Sequence, residues 1–151
     1  MQSTDTEIQA VELLQWTELV ERAPADGSPC IAASSTPEGY PDMSFKGSLM
    51  VLDQDHLAWW EWSMGEQLKQ IEESPRVSVL YRNPGTRIFL RWYGTAELLT
   101  DGPVREQVMA RTPQRELDRD PDRTGIAVVV RVDMVRQGGR VIQQRLDQSS
   151  S

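Results

Sequence analysis

The sequence predicts a mainly β fold with short helices, its antiparallel strands closed into a barrel. Three observations lead there. Apolar runs of strand length recur along the chain, from "SPCIAASS" to "GIAVVVRVDMVRQGG". Clusters of Gly, Pro, Asp and Asn separate them at regular intervals. The helical patterns between them are short. The sum is six or seven strands with three or four short helices, and closure removes the exposed edges so many strands would leave.

In chain order, "DTEIQAVELLQWTELVERAP" places Ile8, Val11, Leu14 or Gln15, and Leu19 at helical spacing, with acidic residues early and Pro24 closing it. One amphipathic helix over about 6–22 is expected. "SPCIAASS" is a short strand, and "TPEGYP" is a loop. A strand over 42–52 follows, with Met43, Phe45, Leu49 and Val51 as its apolar members, and "LDQDH" turns it into a strand over 56–62. "SMGEQLKQIEESP" is a short helix with Leu68 and Ile71 as its apolar contacts. "RVSVLYR" puts Val77, Val79 and Tyr81 on one face and Ser78, Leu80 and Arg82 on the other. "RIFLRWYGTAELLT" is a long strand, and Gly94 within it marks a bulge or a close backbone approach. Pro103 opens a helix that runs to about Arg111, with a short second helix before "RDPDR". "GIAVVVRVDMVRQGG" is a strongly apolar strand, and "RVIQQR" is a last strand or tail.

The 151 residues fit one domain over 1–145, with a disordered tail over 146–151. A formal net charge of −7 disfavours nonspecific binding to nucleic acid or anionic membranes, though one local anion pocket needs only a few cations. No run approaches the roughly 18 apolar residues of a membrane span. The N-terminus has acidic residues and no basic flank, unlike a signal or transit peptide. Cys30 is the only cysteine, which suits a reducing cytoplasm, and its apolar run "SPCIAAS" predicts a buried structural thiol. His56 is the only histidine and lies beside a turn, so neither a Ser/His/Asp triad nor a Cys/His zinc site is expected. No phosphate-cradling glycine loop is present.

Three stretches carry candidate chemistry. In "YPDMSFKGSLMV", Lys46, Gly47 and Ser48 interrupt an apolar strand. They are either a bulge with a solvent-facing lysine or a ligand site. In "AWWEWSMG", Trp60 and Trp62 share one strand face, while Trp59 and Glu61 take the other, one of that pair at a barrel rim. Trp60 and Trp62 suit a flat ring or simple packing, and Trp59 suits packing. Ser63 is either a helix N-cap or an anion-binding hydroxyl. In "RIFLRWYG", Arg87 and Arg91 share a face with Phe89, which makes either an anion site or a solvated outer face. "REQVMARTPQRELDRDPDR" mixes both signs densely and reads as a solvated helical face.

The ordered set "DGSPCIAAS", "YPDMSFKGSLMVLDQDHLAWW", "QIEESPRVSVLYRNP" and "WYGTAELLTDGPVREQVM", over about 27–137, resembles the pyridoxamine 5′-phosphate oxidase-like family. The resemblance implies a six-stranded antiparallel split barrel that forms a homodimer, with two equivalent sites at the subunit interface. FMN is the usual cofactor; some relatives use the deazaflavin F420, and others bind haem or no demonstrated cofactor. The strand bearing Lys46 would line the flavin site. Gly47 and Ser48 would bring backbone N–H groups to the ring edge, and Lys46 would meet either that edge or the phosphate. The implied cofactor-binding set is Lys46, Gly47, Ser48, Trp60, Trp62, Ser63, Gln67, Lys69, Arg91 and Trp92.

One departure stands out. Relatives that hold FMN firmly often carry a basic triplet at the start of the short helix, where this chain has Gly65, Glu66 and Gln67. Glu66 would repel a phosphate there, and Lys69 would only partly restore the charge. The expected function is a cytoplasmic, homodimeric, flavin-dependent oxidoreductase acting on a small molecule, with no protein nucleophile and no metal ligand. The alternatives are an F420-dependent reductase, a flavin-, F420- or haem-binding protein without turnover, or a cofactor-free dimer with a structural or regulatory role.

Overall fold

β7 (Ile126–Gln137) carries the longest apolar run and runs through the middle of the sheet, paired with both β6 (Ile88–Leu99) and β4 (His56–Glu61). Its first five residues are all buried, because each face meets a separate core. Ile126, Val128 and Val130 point into the barrel interior with Leu57, Trp59 and Trp92. Ala127 and Val129 point outward, beneath Val108 of helix α3 (Pro103–Arg111), together with Met50, Ala58 and Trp60. A strand covered on both sides loses the alternation of a half-wet one.

The computed structural model describes residues 7–146. The other strands are β1 (Cys30–Ser35), β2 (Pro41–Lys46), β3 (Met50–Val51), β5 (Arg76–Asn83) and β8 (Arg140–Gln144). All pairings between the named strands are antiparallel, in the order β2-β1-β5-β6-β7-β4-β3, with β8 added to β7. The sheet ends, β2 and β3, are consecutive in the chain and joined only by residues 47–49. Four Cα steps reach at most about 14 Å, so the sheet must curl until its edges nearly meet. The split barrel follows from that short link. Among the described residues the sheet has eight strands, against the six expected, within the same split-barrel class.

The interruption at Lys46-Gly47-Ser48 is therefore a break and not a bulge. The expected strand over 42–52 is two strands, and the chain there leaves β1 as partner and joins β4. The apolar members of its first half also face the other way: Met43 and Phe45 are 67% and 68% exposed. The inward positions are polar because helix α2 (Glu66–Glu73) brings glutamines to meet them. Ser44 Oγ donates to Gln67 Oε1 (2.9 Å), and Gln70 Nε2 donates to Asp42 Oδ2 (3.1 Å).

The N-terminal helix is shorter than expected. A 3₁₀ turn at Leu14–Trp16 leads into α1 (Thr17–Arg22), whereas residues 7–13 contain no helix. The Gln9 N–H donates to Ile142 O (3.0 Å), and the Gln144 N–H donates back to Gln9 O (2.9 Å), so β8 holds this segment extended. Trp16 and Val20 then close one end of the barrel interior. The bulge expected at Gly94 is present. The β6–β7 register shifts between Tyr93 and Gly94, and a Cβ on Gly94 would lie 2.2 Å from Arg131 O. A short helix, α4 (Gln114–Leu117), follows α3. The expected tail lies outside the described residues apart from Leu146, which is exposed.

Candidate functional site

A cavity of about 550 Å³ opens at the split of the barrel. Four segments line it: the connection after the N-terminal helix (Pro24 and Pro29), the end of β2 through the break at Lys46–Ser48, the end of β4 through the start of α2, and α4 with the turn after it. That volume suits a drug-sized organic ligand.

Lys46 ends β2 facing inward and is only 9% exposed, which excludes the solvent-facing alternative. Its Nζ meets Glu61 Oε1 at 2.8 Å and lies 5.3 Å from the centre of the Trp59 ring. Trp59 Nε1 donates to the same carboxylate oxygen at 3.0 Å. Glu61 is thus buried with two donors and does not sit at an open rim, and Trp59 is fully buried. A buried carboxylate with a cation and an N–H is tolerable; either ion alone would not be. The lysine therefore reaches the cavity wall with its charge already balanced.

Gly47 does admit a close neighbour, but that neighbour is a side chain. A Cβ there would lie 2.7 Å from Glu116 Oε2, so the glycine gives room to the α4 carboxylate. The Ser48 hydroxyl ties the link between β2 and β3 to β4: it donates to Trp60 O (3.2 Å) and accepts from the Trp60 N–H (2.9 Å).

β4 ends at Glu61, so Trp62 lies beyond the strand. It remains 36% exposed, lines the cavity, and carries Arg119 at 5.4 Å over its ring. Trp60 faces the outer core, 2% exposed, with Arg105 at 4.8 Å over its ring. Its indole N–H donates to Asp120 Oδ2 (3.0 Å). Asp120 also accepts from the N–H groups of Thr124 (3.0 Å) and Gly125 (2.8 Å) and from the Thr124 hydroxyl (3.2 Å). Burial alone would raise the Asp120 carboxyl, but these donors outweigh it and hold it below the usual aspartate range. This knot pins the turn after α4 to the wall of the cavity.

Ser63 and Gln67 line the cavity. The Gln67 amide is committed on both sides, accepting from Ser44 and donating to Ala32 O (3.3 Å). The remaining three expected residues lie elsewhere. The Lys69 side chain is 70% exposed and 3.6 Å from Glu66, because the helical step from Gln67 turns it outward. Arg91 stacks 4.9 Å over Phe89 on the outer face of β6. Trp92, next along the strand, points inward and is fully buried against Trp16, with ring centroids 6.0 Å apart. A ligand in the cavity does not reach it.

Arg115, Glu116 and Arg119 are cavity residues that sequence reasoning assigned to a solvated face. Their mixed charge carried no local signal. They reach the cavity because α3 packs on the outer core and α4 follows it across a single turn. Burial pushes the Cys30 thiol up to about 12, so it carries no thiolate at neutral pH and fits the structural role expected. His56 lies at the β3–β4 turn, its Nδ1 2.9 Å from both Asp53 and Asp55, away from the cavity. No helix among the described residues is long and apolar enough to cross a membrane.

The sequence pattern of the pyridoxamine 5′-phosphate oxidase family matches residues 17–137, more than half of the chain. The chain belongs to that family. No curated protein matches it significantly. Among solved structures, HupZ of Group A Streptococcus is similar at TM-score 0.64 and 16% identity, covering 88% of this chain and 97% of HupZ. An FMN-binding protein from Syntrophomonas wolfei is similar at TM-score 0.61 and 13% identity, covering 80% of this chain and 86% of that one. An F420 reductase is similar at TM-score 0.55 and 17% identity, covering 71% of this chain and 87% of that one. At these identities the likeness establishes the fold, and the cavity at the split is this chain's own evidence about function.

Proposed function

We propose that this family member holds a flavin-type cofactor in the cavity at the split and uses it to oxidise or reduce a small molecule. The observation that carries the reading is the cavity itself, of about 550 Å³, with the half-exposed Trp62 ring and the buried Lys46–Glu61 pair in its wall. The FMN-binding and F420-reductase neighbours support the same ligand class. A bound flavin-type ring would supply hydride or electron transfer. The chain would bind and orient it: Trp62 offers a flat apolar face and Ser63 a hydroxyl, and the Lys46–Glu61 pair sets a net-neutral dipole in the wall. No protein nucleophile is required.

The fit differs between the two ends of such a ligand. The cavity suits the ring. The start of α2 does not suit a phosphate, since Glu66 stands there and Lys69 faces solvent. F420 is the second reading, supported by the F420-reductase neighbour.

The proposal includes a homodimer. β2 is a sheet edge, and Tyr40, Met43 and Phe45 expose 70%, 67% and 68% of their surface on or beside it. An apolar, unpaired edge of this kind calls for a cover, and a second copy would bring its surface to the mouth of the cavity. The absorbance spectrum of the purified protein, taken before and after adding FMN and then F420, tests the reading. A cofactor band present at the start, or shifted on addition, is the expected result. No response to either ligand would overturn it.

A further inference from the structure

If the cavity holds a flavin-type ring, the anionic end of the ligand still needs a partner, and the charges on its wall limit the choice. The lining contains three cations, Lys46, Arg115 and Arg119, and three carboxylates, Glu61, Glu66 and Glu116. Lys46 is committed to Glu61 in a pair only about 10% exposed on each side. Opening that pair to serve a phosphate would leave Glu61 buried with one donor. Lys69 points away and pairs with Glu66.

Arg115 and Arg119 differ from both lysines. Neither takes part in an ion pair among the described residues. Arg115 reaches across the cavity, its Nη2 3.4 Å from Gly47 O, a long contact that is readily exchanged. Arg119 Cζ lies over the Trp62 ring, 5.4 Å from its centre, a cation–π contact that holds a guanidinium while its N–H groups remain available to an anion. Arg115 lies on α4 and Arg119 in the turn that follows it, and both line the same cavity. Between them Glu116 rests its carboxylate on Gly47.

We infer that Arg115 and Arg119 bind the phosphate of the ligand, in place of a basic cluster at the start of α2, and that Glu116 opposes it at the same corner. The α4 segment is thus the anion-recognising element of this chain. The inference rests on the proposed flavin-type ligand and adds the placement of its phosphate.

The test compares FMN with riboflavin, which has the same ring and no phosphate, by quenching of flavin and tryptophan fluorescence. The intact protein should prefer FMN, and added salt should erode that preference without affecting riboflavin to the same degree. Arg115→Gln and Arg119→Gln should each lower the FMN-to-riboflavin affinity ratio by about ten-fold. Glu116→Gln should raise it, whereas Lys69→Gln should leave it in place. All four side chains are at least partly exposed, and circular dichroism checks that each variant is folded. If FMN binds with a ratio indifferent to both arginines, or sensitive to Lys69, the inference is overturned while the proposed function stands. If F420 binds and FMN does not, the same ratio is taken between F420 and its ring without the phosphate-bearing tail. If none of these ligands binds, both readings fall together.

Discussion

Two strand segments place cations beside aromatic rings in sequence, and the fold uses them in opposite ways. At "SFKGS" and "WWEW", Lys46 is driven inward, neutralised by Glu61 and set in the wall of a cavity, with Trp62 left half exposed beside it. At "FLRWYG", Arg91 stays on an outer face over Phe89, and Trp92 is sealed in the barrel interior. The difference is that β2 ends at the split, where the sheet has an edge to open, whereas β6 is paired on both sides at Arg91 and Trp92. A cation near tryptophans marks a site only where the sheet leaves a gap beside it.

The contrast can be broken most severely through the tryptophans. Trp92→Ala should cost about 3–5 kcal/mol in urea unfolding, since it empties a fully buried site packed on Trp16 and Tyr81. Trp62→Ala should cost far less stability and should weaken flavin binding instead. Equal losses at the two positions would erase the distinction between core and cavity wall.

The buried pair comes next. Glu61→Ala should destabilise by about 3 kcal/mol, because Lys46 Nζ and Trp59 Nε1 both lose their acceptor. Lys46→Met combined with Glu61→Leu should recover most of that loss, as no charge is then stranded. A double variant as unstable as the single one would show that the pair organises more than its own charges.

Asp120 sharpens the comparison through pH. Its folded pKa is held below the unfolded value, so the stability it contributes is fully present above the ordinary aspartate value of about 3.9 and is lost as pH falls through the folded pKa. Asp120→Asn should lower stability by about 1–3 kcal/mol at neutral pH, through weaker acceptance from Trp60, Thr124 and Gly125. The variant's melting temperature should also fall less steeply below pH ~4 than that of the parent. An unchanged acid limb would rule out this carboxylate as its source. The smallest effect is expected at Arg91→Gln, within about 1 kcal/mol in stability and without change in flavin binding, since only its stacking on Phe89 is lost.

Much of the architecture was legible from the chain alone. Val77, Val79 and Tyr81 alternate into the interior as read, Pro103 opens α3, and Gly94 marks the β6 bulge. The face shared by Trp60 and away from Trp59 was also legible, because strand geometry assigns alternate residues to opposite sides. What lies on each side was not. Met43 and Phe45 look like core and face solvent, and Arg115 and Arg119 look like solvated face and line the cavity.

The sequence by itself determined the strands, most of their boundaries and the barrel class. These follow from local periodicity and from turn residues acting on their own neighbours. Only the tertiary structure decided that residues 47–49 join the two edges of one curled sheet, that Lys46 is answered by Glu61, and that α4 faces Gly47. Those outcomes depend on partners from 15 to about 70 positions away, brought together by sheet closure and by the packing of α3 on the outer core. No local pattern encodes such pairings, because the closure of the whole sheet, and no single segment, sets the distances between them.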